Sequence, residues 1–350
     1  MKRDAIQFEE WRGLYEVMEK IKELAPWEWM NEHDIFGVEN PETKELGFVS
    51  VMGALGEHYA ISVYRGSEGL FGFLSLLDIP PGEPGMFSEY LLEIPQLQAS
   101  FEDRDMLTAR DLKVIKSLGL KYRGRKSWPL FRSFKPGFFP WYLESEEIRF
   151  LQYALEQILD VAPRFKEDPL VLEPGREETI MVRVASKKGN NLAWRDEKMK
   201  IDPPDPEQIN ILVNVDIMDA VKKLPPSESE FEIDVFMYPM PVQEKRGDRP
   251  FYPYAFMIVD GNSGHVASVE LLNPGASLGN MWAEVPNKLV ENLEKLKVLP
   301  KRILVSSDLL YDLFYPLSED LGFVLEAWEE LPNLDDAKHG LLEFLRMRNT

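Results

Sequence analysis

The chain has 350 residues, 60 acidic against 40 basic side chains, a net charge of −20 and no cysteine. Without cysteine there is no disulfide framework, thiolate nucleophile or Cys-based metal site, and the charge excludes a nucleic-acid binder that relies on a generally basic surface, though not one with a local basic patch. With 44% apolar residues the chain is expected to fold, and its length suggests two domains.

Residues 5–24 set Trp11, Leu14, Met18, Ile21 and Leu24 at three- and four-residue spacing, an amphipathic helix that Pro26 stops. Residues 34–40, 46–55 and 57–66 are apolar-rich segments separated by Asn-Pro and Gly signals and read as an antiparallel meander. A short helix is expected over 67–77, a loop at 81–85, a strand over 96–103, and a helix over 108–120 with Thr108 as its N-cap. Residues 145–160 form a helix capped by Ser145, with Glu146 and Glu147 at its positive end and Ile148, Leu151, Leu155 and Ile158 on one face.

Three prolines and a glycine among charges at 162–176 place the domain boundary there, giving domains 1–165 and 175–350. Segments 179–186 and 192–201 read as a strand pair joining the halves, and 202–207 as a second loop. Beyond it come a strand over 231–240, a hairpin over 254–272 about Gly-Asn-Ser-Gly, and a helix over 281–297 interrupted by Pro286. A strand over 301–307, a helix over 308–322, a strand over 323–331 and a helix over 334–347 complete the chain.

The expected fold class is mixed α+β and α/β: an N-terminal antiparallel meander with helices, then a C-terminal mixed sheet with helices. The β-β-β-α-β-α-β-α order of residues 231–347 resembles the ribonuclease-H-like arrangement, in which a three-strand meander extends into a parallel sheet. The stretch from "ELAPWEWM" to "GLFGFL", with the later "FRSFKPGFFPWYL", resembles a bacterial domain family of unknown function. The C-terminal half, through "YAFMIVDGNSGHVASVELL" and "PKRILVSSDLL", resembles a second uncharacterised bacterial family. Neither resemblance implies an activity.

Two candidate sites stand out. In ribonuclease-H-like nucleases, carboxylates on the first strand, the fourth strand and a helix hold Mg²⁺ or Mn²⁺ for phosphodiester cleavage. The corresponding places here carry Asp234 and Asp308, with Glu284 or Glu291 on the intervening helix. Against this, Asp308 opens a helix, where an acid belongs for dipole reasons alone, and Asp234 alternates with Ile233 and Val235 as a wet-face residue would.

The second candidate is the acid-free segment between Asp111 and Glu144. It holds Lys113, Lys116, Lys121, Arg123, Arg125, Lys126, Arg132 and Lys135, interleaved with Tyr122, Trp128, Phe131, Phe134, Phe138, Phe139, Trp141 and Tyr142. Cations beside stackable rings suit single-stranded nucleic acid or another anionic partner; alternatively the rings are core anchors and the cations offset an acidic body. The binding candidates are Lys121, Arg123, Arg125, Lys126, Trp128, Arg132 and Lys135.

His33, His58, His265 and His339 lack ligand spacing, and no phosphate loop or nucleophile elbow is present. The leading expectation is therefore a non-catalytic binding or adaptor protein with an anionic ligand or protein partner at 121–142. The alternative is a divalent-metal-dependent phosphodiester enzyme. No cofactor is expected beyond Mg²⁺ or Mn²⁺ in that alternative. With no apolar run near 18 residues and no signal peptide, no membrane association is expected, and a cytoplasmic location is the default.

Overall fold

A computed structural model describes residues 2–77, 90–175, 178–189, 191–205 and 209–348; the loop expected at 81–85 lies outside them. The chain divides into two compact units, 1–136 with 140–205, and 137–139 with 206–350. The boundary thus falls about thirty residues beyond the proline-rich stretch that marks it in the sequence. Two local decisions move it.

The first is made by a helix. The first unit begins with α1 (Lys2–Leu24) and the meander β1 (Phe36–Glu39), β2 (Leu46–Met52) and β3 (Tyr59–Arg65), paired antiparallel. Then come α2 (Gly66–Leu77), β4 (Gln96–Glu102), α3 (Ala109–Ser117), β5 (Trp128–Lys135), β6 (Phe138–Trp141) and α4 (Ser145–Glu167). Helix α4 continues through Pro163, because Val161, Ala162 and Phe165 are buried in the core and packing outweighs the missing N–H donor. Its N-cap is Glu144 and not Ser145: the Glu144 and Glu147 side chains form a reciprocal capping box.

The second is made by a hairpin. Strands β7 (Ile180–Lys188) and β8 (Asn191–Met199) pair antiparallel, and β7 adds to β1 in parallel, so they extend the first sheet and do not bridge two halves. The eight-stranded order is β6-β5-β4-β3-β2-β1-β7-β8. Alternation places Val49, Val51, Ile61, Val63, Leu97, Ala99 and Phe131 on the face that packs α1 and α4, with Leu14, Met18, Ile21, Leu151, Leu155 and Ile158. Phe48 and Tyr64 face the other way, against Leu70, Phe73 and Leu76 of α2. The buried Arg183 joins β7 to its neighbours, donating to Gln157 at 3.0 Å and pairing with Asp160 at 2.9 Å and Asp196 at 2.6 Å.

The second unit starts with α5 (Val215–Val221), a helix missed in the sequence and capped by Asn214. Strands β9 (Glu230–Met237), β10 (Tyr254–Asp260) and β11 (Val266–Leu272) form an antiparallel meander. Helix α6 (Leu278–Leu296), strand β12 (Arg302–Val305), helix α7 (Asp308–Leu321), strand β13 (Val324–Ala327) and helix α8 (Pro332–Arg348) follow. The order is β11-β10-β9-β12-β13, with β12 parallel to both β9 and β13. Relabelled within the unit this order is 3-2-1-4-5, a mixed sheet with an antiparallel meander on one side and parallel strands on the other. Helix α6 runs through Pro286 without interruption, because Pro286 itself is buried between Val285 and the Leu289–Val290 turn.

The two faces of this sheet differ in chemistry. Phe231, Ile233 and Val235 of β9 pack with Met281, Val285 and Leu289 of α6 and with Leu310, Leu313 and Phe314 of α7. Glu232 and Asp234 alternate to the opposite face, where Met257 and Val259 of β10 and Leu304 of β12 pack against Leu334 of α8.

Candidate functional site

The carboxylate positions read from the sequence are not gathered into a metal site. Asp234 is 8% exposed; its Oδ1 accepts the Val235 N–H at 2.8 Å, and its Oδ2 pairs with the Lys338 ammonium of α8. Asp308 is the exposed first residue of α7, behind the Ser307 cap. Glu284 and Glu291 lie on α6, which packs on the sheet face that Asp234 turns away from. Glu291 accepts from Asn287 and Lys288, both at 2.8 Å. Among the described residues no group of three or more His, Asp or Glu side chains could hold a metal ion.

A carboxylate the sequence did not single out does more. Glu232, 3% exposed, accepts the Leu334 N–H and the Asn333 Nδ2, each at 2.8 Å, so it closes the N-terminal turn of α8. Asp234 then takes Lys338 one turn further along the same helix. The two acids of β9 dock α8.

The basic segment is a hairpin with its preceding loop, and it divides into committed and uncommitted cations. Arg132 forks onto Asp111 at 3.0 and 2.8 Å, while Asp111 closes the capping box of α3 with Thr108. Burial pushes the Asp111 carboxyl up, but the Arg132 hydrogen bond and charge, with Thr108, outweigh it and hold the group below its ordinary 3.8. Lys126 has left-handed backbone, φ 46°, and its ammonium donates to the Gly56 and Glu57 carbonyls at 2.6 and 2.7 Å, locking the β2–β3 turn. Arg125 is 91% exposed and lies 3.6 Å from Asp103. Lys135 ends β5 and is exposed.

Lys121 and Arg123 are exposed, as are Lys113 and Lys116 of α3. None of these four has a carboxylate among the described residues within ion-pair distance. The rings between them are turned inward: Tyr122 stacks on Tyr15 at 6.2 Å and meets Trp128 edge-on at 5.9 Å, and Phe131 is in the core. Trp128 also lies beneath Arg104, at 5.8 Å. The segment therefore has exposed cations while Tyr122, Trp128 and Phe131 pack against neighbouring rings or the core.

Beside this strip, α1 and α3 enclose a groove of about 400 Å³ lined by Phe8, Trp11, Arg110, Lys113, Val114, Ser117 and Leu118. Arg110 lies 4.1 Å over the Tyr142 ring. In the sequence Trp11 is one of the apolar-face residues of an amphipathic helix, and Arg110, which precedes Asp111, falls outside the acid-free window. The available signal was the one-face spacing of 110, 113, 114 and 117 along α3.

Two family descriptions account for the chain. Residues 11–183 match Domain of unknown function (DUF7309), and residues 217–342 match Domain of unknown function (DUF6930). The first match ends within β7 and, apart from residues 137–139, lies in the first unit; the second runs from α5 into α8 and lies in the second unit. No curated protein and no solved structure matches the chain. Among the described residues no helix is long and apolar enough to cross a membrane.

Proposed function

We propose that the protein is a non-catalytic binding protein whose first unit engages an anionic partner through the strip formed by Lys113, Lys116, Lys121 and Arg123. The observation that carries this reading is that these four exposed cations lack carboxylate partners in a chain with 60 acidic residues. Elsewhere in the same unit Arg132, Arg149 and Arg183 are held by carboxylates, whereas these four fall together within residues 113–123. Because Tyr122, Trp128 and Phe131 stack within the unit, the strip suits an acidic polypeptide better than single-stranded nucleic acid, which needs open ring faces.

The strand order of the second unit supports a second reading, a ribonuclease-H-like enzyme holding Mg²⁺ or Mn²⁺ at Asp234 and Asp308. Its weak point is Lys338, which occupies the Asp234 carboxylate. We take the second unit to be a scaffold.

At low salt and neutral pH, a protein of net charge −20 should pass through immobilised heparin unless one face is coherently cationic. Retention of the wild type, and its loss in the Lys121→Glu/Arg123→Glu variant, is the expected result. Flow-through of the wild type sinks the binding assignment. A rise in melting temperature with Mn²⁺, abolished by Asp234→Ala, would revive the enzyme.

A further inference from the structure

The α1–α3 groove differs from the other concavities in the character of its charge. Around Arg65, Glu45 accepts in bidentate fashion at 2.8 and 3.0 Å and Glu147 stands 3.5 Å away, among Glu144 and Glu146, so that guanidinium is already satisfied. In the groove beside α6, Lys288 is tied to Glu291. Among the described residues no carboxylate lines the groove between α1 and α3, and the two cations there, Arg110 and Lys113, have no carboxylate partner.

The apolar part is built. Trp11 is held by Tyr15 at 6.3 Å and Phe131 at 5.8 Å between ring centroids, so its position is set by the core and does not depend on a ligand. Val114 stands on α3 and Leu118 at its C-cap, and Ser117 supplies one hydroxyl. Arg110 and Lys113 are three residues apart on the same helix, which puts both cationic heads along one side of the apolar surface. A groove of this size with an apolar lining and a few convergent charges has the make-up of a small-ligand site.

We propose that this groove binds a small amphipathic organic anion, a carboxylate carrying an aromatic ring or short acyl chain. The apolar portion lies against Phe8, Trp11, Val114 and Leu118, and the carboxylate meets Arg110 and Lys113. The inference rests on reading the first unit as an anion-binding module and shares Lys113 with the strip, but Lys121 and Arg123 lie outside the groove and Arg110 and Ser117 outside the strip, so variants at those positions let the two fail separately.

The test is isothermal titration of the full chain with 2-naphthoate and with its neutral isostere 2-naphthamide. Saturable one-to-one binding of the acid is expected, with the amide at least ~10-fold weaker, as loss of a charge-assisted contact implies. Lys113→Glu should weaken naphthoate at least ~10-fold and Lys113→Arg should retain it. Ser117→Trp, which fills the groove without altering charge, should abolish binding. Each variant is first checked for wild-type circular dichroism. Lys121→Glu/Arg123→Glu should leave naphthoate affinity unchanged while removing heparin retention, separating groove from strip. No binding of naphthoate, equal affinity for acid and amide, or binding indifferent to both Lys113→Glu and Ser117→Trp, overturns the proposal.

Discussion

Replacing Asp234 by Ala leaves the Lys338 ammonium beside the Phe236 ring, 5.1 Å from its centroid, without its main counter-charge. The pair is well shielded, with side-chain exposures of 12% for Asp234 and 22% for Lys338. Breaking a fully buried ion pair from one side costs about 3–5 kcal/mol. Here Lys338 keeps some access to water and a second carboxylate, Asp335, at 3.8 Å, so the expected loss is about 2 kcal/mol. Lys338→Met should cost a similar amount, because it strands Asp234 against the sheet. The double variant removes both charges and should lose little more than either single one, giving a coupling of about 2 kcal/mol. Urea unfolding followed by circular dichroism and by tryptophan fluorescence, to which Trp282 and Trp328 contribute from the second unit, provides the four stabilities. If Asp234 were instead a carboxylate retained for metal chemistry, Asp234→Ala would be neutral or stabilising and additive with Lys338→Met. That outcome would refute the docking role argued for β9.

Two further predictions concern groups that were silent in the sequence. Glu232→Ala leaves the buried Leu334 N–H unpaired and removes one of the two acceptors of the Asn333 Nδ2, the Gly261 carbonyl remaining, so it should cost about 2–3 kcal/mol and speed amide exchange in the first turn of α8 before the rest of the unit. Asp111 has a folded-state value below its ordinary 3.8, so its contribution is present above that pH and is lost as the pH falls toward and through the lower folded value. The melting temperature of the wild type should therefore drop on acidification below about pH 5, and Asp111→Asn should start lower but show a shallower acid limb. An unchanged acid limb in the variant would count against the Arg132–Asp111 lock.

The local elements were legible because their signals are local. Apolar spacing marked α1, α2 and α4, alternation and turn residues marked β1–β4 and β7–β11, and Thr108 announced α3 three residues ahead of the Asp111 that completes its box. The element order of the second unit, three strands followed by alternating helices and strands, was legible in the same way, because each element carries its own apolar period. The hairpin β5–β6 escaped because Pro129 and alternating cations blur the period of a strand. The domain boundary escaped because composition cannot tell that α4 will carry Pro163, nor that β7 will find β1 more than 140 residues earlier.

Which charges are spent and which are offered was beyond any local pattern. Lys338 meets Asp234 across 104 residues, Lys126 meets Gly56 across 70, and Arg132 meets Asp111 across 21. A counter-charge is chosen by proximity in space, and space is set by the sheet registers that bring distant segments together. The sequence alone determined that an acidic, cysteine-free chain makes two mixed α/β modules with one acid-free segment. Only the tertiary structure decided that Lys126 and Arg132 among the proposed cations are internal clamps, that the β9 carboxylates hold a helix, and that Arg110 and Lys113 stand beside a preformed apolar wall, because burial and pairing are properties of the packed chain.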